Sequence, residues 1–119
     1  MKKTSRGRGR EGEQLAARFL QQKGYHIEAR NWRYKRYEVD LIACKENILV
    51  FVEVKSRRSE AFGFPEQFVN KAQASRIMEA AEAYIHERGW QGNIRFDIIA
   101  IKLVSSGQHL IEHFEDAFS

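Results

Sequence analysis

Apolar residues recur along the chain with two periods. In "EGEQLAARFLQQKG", Leu15, Ala16, Phe19 and Leu20 fall at i, i+1, i+4 and i+5, which is one stripe of a helix, and Gly24 stands where helices commonly stop. "YHIEARNWRY" then predicts a first strand. "YEVDLIAC" and "NILVFVEVKS" predict a second and a third, joined into a hairpin by the polar turn "KEN". "RRSEAFGFPEQF" carries the only proline and reads as a loop. "NKAQASRIMEAAEAYIHER" returns to the helical period, with Ile77, Ala81, Tyr84 and Ile85 on one face and Gly89 closing it. "NIRFDIIAIKL" is an almost unbroken apolar strand, which suits a central place, and "QHLIEHF" offers one more strand after the turn "SSG". The order αβββαβ, with a further β, predicts an α/β fold in which helices flank a mixed β-sheet.

Strand alternation exposes an anomaly. In the second strand Glu38, Asp40 and Ile42 should share one face, with Val39, Leu41 and Ala43 on the other. In the third, Leu49, Phe51, Glu53 and Lys55 should share a face, with Val50, Val52 and Val54 behind them. Pairing around "KEN" sets Asp40 on a strand adjacent to Glu53 and Lys55, so two carboxylates and an ammonium converge near one end of the sheet. Charges inside apolar strands are costly unless paired or bound to metal. Convergent carboxylates repel until a divalent cation joins them, and Mg2+ takes a few carboxylates plus waters. Such an ion polarises a phosphoryl oxygen, and a nearby lysine can neutralise the charge that builds on phosphate. Asp followed by Glu-x-Lys therefore suits metal-assisted phosphodiester cleavage. Glu-x-Lys alone is a weak signal, since an exposed ion pair of this kind is common and worth ~0–1 kcal/mol. Asp40 upstream and the apolar setting strengthen it.

Composition narrows the setting. The 119 residues fit one domain. The single Cys44 cannot form an internal disulfide, which favours a reducing, cytoplasmic compartment. No apolar run approaches the ~20 residues that cross a bilayer, so no membrane partner is expected, and the basic start lacks the apolar segment of a secretory signal. The net charge of +4 is concentrated: five of the 20 Lys and Arg lie in residues 1–10, leaving 15 against 16 acids elsewhere. Residues 1–10 read as a basic flexible N-terminal tail that could touch phosphates or simply solubilise, and residues 11–119 as a single domain.

"YEVDLIA" followed by "FVEVKSR" resembles the PD-(D/E)xK nuclease signature. More closely, the chain resembles the YraN-like family of bacterial proteins, related to archaeal Holliday-junction resolvases. The likeness runs from about Gly9 to Lys102 and includes "GREGEQLAARFL", "GYHIEARNWR", "FGFPEQFVNKAQ" and "RFDIIAI". It implies a restriction-endonuclease-like αβββαβ core, in agreement with the element order; the expectation of a nuclease using Mg2+ or Mn2+ is an inference from the site residues. Matched residue by residue, Asp40 and Glu53 take the place of metal carboxylates, Lys55 that of the catalytic lysine, and Glu13 that of an acid on the first helix. Glu13 lies three and seven positions before Ala16 and Leu20, so it can face inward; complementing the helix dipole is its plainer role. Glu38 could be a ligand or a group supporting one. Two departures stand out: Val39 replaces the proline of the signature, and Tyr37 stands where many relatives have glycine.

Other residues divide between binding and structure. "RNWRYKRY" interleaves Arg30, Arg33, Lys35 and Arg36 with Trp32, Tyr34 and Tyr37, a composition for phosphate contact plus base stacking or for a charge-protected edge strand. Arg57 and Arg58 follow Lys55 after Ser56, and Lys71 opens the second helix and matches a family lysine. Asp97 leans to a structural hydrogen bond. His109 and His113 lack zinc-ligand spacing and read as packing or surface residues. The expectation is a metal-dependent endonuclease acting on DNA, branched or damaged forms included. A homodimer is compatible, since cutting two strands symmetrically takes two sites. The alternative is a noncatalytic nucleic-acid-binding or adaptor protein that retains the fold.

Overall fold

A computed structural model describes the backbone of residues 2–57, 69–103 and 107–118, with side chains for 11–57, 69–102 and 107–118. Its elements are α1 (Lys2–Gln22), β1 (His26–Tyr34), β2 (Tyr37–Lys45), β3 (Ile48–Arg57), α2 (Lys71–Arg88), β4 (Asn93–Leu103) and β5 (His109–Phe114). The loop centred on "SEAFGFPEQF", with Arg58 before it, and most of the turn "SSG" lie outside the described residues. α1 begins at Lys2, well before Glu11, where the helical segment read from the sequence starts. Lys and Arg are good helix formers, and two glycines lower that preference without ending the helix.

Both helices end as their glycines indicate. Gly24 (φ 96°) and Gly89 (φ 70°) adopt the left-handed conformation. The next residues, Tyr25 and Trp90, donate backward to Leu20 O and Ile85 O at 2.9 and 3.1 Å, which satisfies carbonyls the helix leaves open. At the start of α2, Asn70 Oδ1 accepts from Gln73 N at 2.8 Å.

The five strands form one sheet in the order β1-β2-β3-β4-β5. Among the described strands only β3 and β4 run parallel, because α2 carries the chain back between them. β4 is interior, as its apolar run predicts. α1 packs Ala16, Ala17 and Leu20 onto Leu41, Ala43, Val50, Val52, Ile99 and Ile101. α2 packs Ile77, Ala80 and Ala81 onto Val39, Ile42, Leu49, Phe51 and Phe96. Alternate residues of β3 thus serve opposite layers, with one helix on each face of the sheet.

Two irregularities shape one end of the sheet. β2 pairs with β3 only from Lys45↔Ile48 to Leu41↔Val52. Beyond that point β2 continues along β1 to Tyr34↔Tyr37, while β3 continues along β4 to Arg57↔Lys102. The sheet therefore forks, and the next residues in the broken register are Asp40 and Glu53. The second irregularity corrects the simple alternation expected of β2. Val39 joins Ile42 in the α2 layer, while Leu41 and Ala43 lie in the α1 layer. The alternation of β2 is interrupted at Asp40, between Val39 and Leu41, although its pairing with β1 keeps one register there; the register shift of this pair lies between Ile27 and Ala29. Across from Asp40, Asn31 has a positive φ of 50°, which interrupts the pleat.

Candidate functional site

Asp40 sits in the fork. Its Oδ2 accepts from the Val54 backbone N–H at 2.8 Å, a donor that β2 would otherwise have used for the ladder. The side chain thereby closes the gap between the parting strands, and the same act holds its carboxyl at a fixed depth. Oxygens of Glu13, Glu38 and Asp40 all lie within 4.8 Å of one another. Glu13 comes from the start of the described side chains of α1, and its approach depends on the residue before it. A Cβ at Gly12 would collide with Ser56 Oγ on β3, so glycine lets the helix come down onto the strand here.

Glu53 lies beside this group and is held from the other layer. Its Oε2 accepts from Gln73 Nε2 at 2.9 Å and lies 3.2 Å from Lys55 Nζ. Gln73 belongs to the first turn of α2, which Asn70 caps. Glu53 is 8% exposed, and the Lys55 side chain 18%, so this pair is far drier than a surface ion pair.

The electrostatics follow from crowding. Burial, then Glu53, with Glu13 and Glu38 adding to them, pushes the Asp40 carboxyl up to about 8, against the Val54 hydrogen bond. Burial also raises Glu53, offset by the charge and hydrogen bond of Lys55 and by Gln73. Acids that resist ionisation in a cluster favour a proton or a cation. The donor set is all oxygen, and its spacing is one that a hard cation with bonds of ~2.1 Å closes by small movements. Glu13, Glu38 and Asp40 are the residues that could hold such an ion, with Glu53 adjoining.

The residues singled out from the sequence thus come together unequally. Glu13 and Asp40 converge, and Glu38, whose role was open, is the third member. Glu53 and Lys55 neighbour them as a bonded pair. Gln73 and Asn31 were missed. Gln73 could have been flagged as the third residue after the helix cap Asn70. Asn31, which donates from Nδ2 to Glu38 Oε2 at 2.8 Å, left no sequence signal beyond asparagine's tolerance of left-handed backbone.

Of the basic residues, Arg33 is seen against this group. Arg33 is exposed and 3.6 Å from Glu38. Arg30, Arg36, Arg57 and Lys71 are exposed, and Arg57 Nη1 donates to Ser56 O at 3.0 Å. The aromatic residues between the β1 arginines are used internally. Trp32, Tyr34 and Tyr37 pack against the α2 layer. Trp32 stacks with Tyr34 at 6.4 Å and meets Tyr84 edge-on at 5.2 Å. The arginines thus remain outside, while the rings between them lie partly buried against the α2 layer.

A second buried acid lies on β4. Asp97 is fully buried and receives Arg95 Nε and Nη2 (both 2.9 Å), the Asp116 N–H (3.0 Å) and His113 Nε2 (2.7 Å). Lys23 Nζ donates to the other His113 nitrogen at 2.8 Å, and Arg95 also reaches Tyr25 Oη at 2.6 Å. This network ties β4, β5 and the end of α1 together. It is the structural hydrogen bonding toward which Asp97 leaned, and it places His113 in packing.

Comparison with known proteins identifies relatives across most of the chain. The profile of the uncharacterised protein family UPF0102 matches residues 12–101. A UPF0102 protein of Cytophaga hutchinsonii is 46% identical over 109 residues, covering 92% of this chain and 93% of the relative. One from Flavobacterium psychrophilum is 47% identical over 110 residues, 92% of each chain. One from Clostridium perfringens is 39% identical over 120 residues, 99% of this chain and 98% of the relative.

Proposed function

Because the chain belongs to the uncharacterised protein family UPF0102, whose description names no activity, we propose its function from the fork itself: a metal-dependent phosphodiesterase acting on DNA. The observation that carries this reading is the meeting of Glu13, Glu38 and Asp40 within 4.8 Å beside the Glu53–Lys55 pair. A fold that needed only stability would have no use for four acids at one opening, since each raises the cost of ionising the next. Mg2+ or Mn2+, when bound, supplies charge neutralisation and polarisation of a phosphoryl oxygen.

The chain's own residues have separable parts. Asp40, anchored by Val54, and Glu13, brought in over Gly12, hold the negative oxygens. Lys55 is kept in place by Glu53 and can donate to a phosphate oxygen as charge grows there. Gln73 fixes the Glu53 carboxylate so that it does not swing with the lysine. Arg30, Arg33, Arg36, Arg57 and Lys71 suit the sugar–phosphate backbone, a contact that is sequence-independent and weakens with salt. Arg58 and the loop after it lie outside the described residues.

The test is cleavage of linear duplex, single strand, flap and four-way junction DNA with Mg2+ or Mn2+ at stated salt. Wild type should cut at least one form only with metal. Lys55→Ala should lower turnover on the order of 10²–10³-fold with binding nearly unchanged, as for loss of a group that acts on the transition state. Binding of every form without cutting of any, with both metals, would establish the adaptor reading instead.

A further inference from the structure

We propose that Asn31 is a positioning residue for the acidic site, acting through its backbone conformation as well as its amide. This rests on the reading of Glu13, Glu38 and Asp40 as one functional group. β1 and β2 pair as Arg30↔Leu41 and Trp32↔Val39, which leaves Asn31 across from Asp40. Asn31 takes φ 50°, a conformation that side chains with a Cβ adopt at a cost and asparagine tolerates better than most.

The consequence appears on both strands at the same level. On β1, Ala29 and Trp32 face the same α2 layer although they are three residues apart; on β2, Val39 and Ile42 do likewise. A regular pair of strands would put residues three apart on opposite faces. The left-handed residue thus slips the alternation of the pair by one. That slip lets Asp40 turn into the fork and meet Glu13 of α1, while its neighbours Val39 and Ile42 still fill the α2 layer. The Asn31 amide then donates to Glu38 Oε2 at 2.8 Å and sets the third acid against the other two. Without the slip, one of two things fails: Asp40 leaves the fork or Val39 leaves the core.

Two substitutions separate backbone from side chain. Asn31→Gly keeps the left-handed conformation and removes only the amide. Asn31→Val removes the amide and, being β-branched, drives the residue back to extended backbone. The metal-independent readout is hydrogen exchange at the Val54 amide, whose acceptor is Asp40. Asn31→Val should speed Val54 exchange by at least about tenfold relative to other β3 amides, whereas Asn31→Gly should leave it unchanged. In Mn2+ calorimetry Asn31→Gly should weaken binding several-fold and Asn31→Val much more. Unchanged Val54 exchange in folded Asn31→Val overturns the proposal. If Asn31→Val does not fold, Asn31→Gly decides alone: loss of Val54 protection there overturns it, and retained protection with weakened Mn2+ binding supports it. A wild type that binds no Mn2+ while Val54 responds as described sinks the metal-site reading and leaves the positioning role standing.

Discussion

Asp40 and Asp97 are the same residue in the same sheet, and the fold treats them in opposite ways. Asp97, on interior β4, is surrounded by donors. Burial by itself would raise its carboxyl, but His113, Arg95 and the Asp116 N–H outweigh burial and hold it below the usual value. Asp40, at the fork of β2 and β3, has among the described residues one backbone donor and three acidic neighbours, and its carboxyl rises to about 8. A buried charge that is fully paired ties structure together. A buried charge left among its own kind is retained against stability, and that is the pattern of a site awaiting a positive partner. The contrast teaches that burial alone does not set how a buried acid ionises; the sign of the surrounding charge does.

The sharpest break of this comparison is by substitution. Asp97→Ala leaves the Arg95 guanidinium mostly buried without its main partner and should destabilise by about 3–5 kcal/mol in urea unfolding. Asp40→Asn without metal should be neutral or stabilising, because it removes repulsion among acids. Equal losses from both would show that Asp40 is a structural acid after all.

Metal should reverse the ranking for Asp40. At a Mn2+ concentration of ~100 times its dissociation constant, wild type should gain about 2.7 kcal/mol. The gain should vanish in Glu13→Gln/Asp40→Asn and persist in a destabilised but folded Asp97→Asn. A thermal shift that survives the double substitution would place the ion elsewhere.

The pH dependence should separate the two acids by sign. The folded pKa of Asp97 lies below its unfolded value, so its contribution is present above the unfolded pKa and is lost as pH falls through the folded one. The folded pKa of Asp40 lies above its unfolded value. From near 4 up to about 8 the unfolded chain has released that proton while the folded chain retains it, so metal-free stability should decline across this window and level off above it. Melts across this range should show the decline in wild type, and Asp40→Asn should flatten most of it. Glu53 shifts in the same direction and accounts for any remainder.

The smallest effect should come from the rim. Arg33 is largely exposed and 3.6 Å from Glu38, so Arg33→Ala should change stability by less than about 1 kcal/mol. It should still weaken DNA binding and lower its salt dependence in a filter or anisotropy titration. A large stability loss would mean that this arginine belongs with Asp97's donors in kind.

The outline of the fold was legible in the residues. Helical stripes ending at Gly24 and Gly89, the hairpin around "KEN" and the apolar run of β4 each depend on neighbours within a few positions, where period and turn chemistry act directly. The resemblance to the YraN-like family is borne out by the match to UPF0102 over residues 12–101. Asp40, Glu53 and Lys55 stood out because charge inside an apolar strand is costly wherever the strand lies.

What lay beyond the sequence was set by distance in space. Alternation assumed a regular pleat and put Val39 on the wrong face, because one left-handed residue on the neighbouring strand resets it. Glu38 became a member of the acid cluster, Gln73 the link from Glu53 to α2, and Trp32 a partner of the α2 layer only once two layers closed on the sheet. Periodicity and charge pattern are local properties, so the chain states them outright. Which acids share a cavity, and whether donors or further acids face them, depends on contacts between residues dozens of positions apart, and only the packed structure decides those.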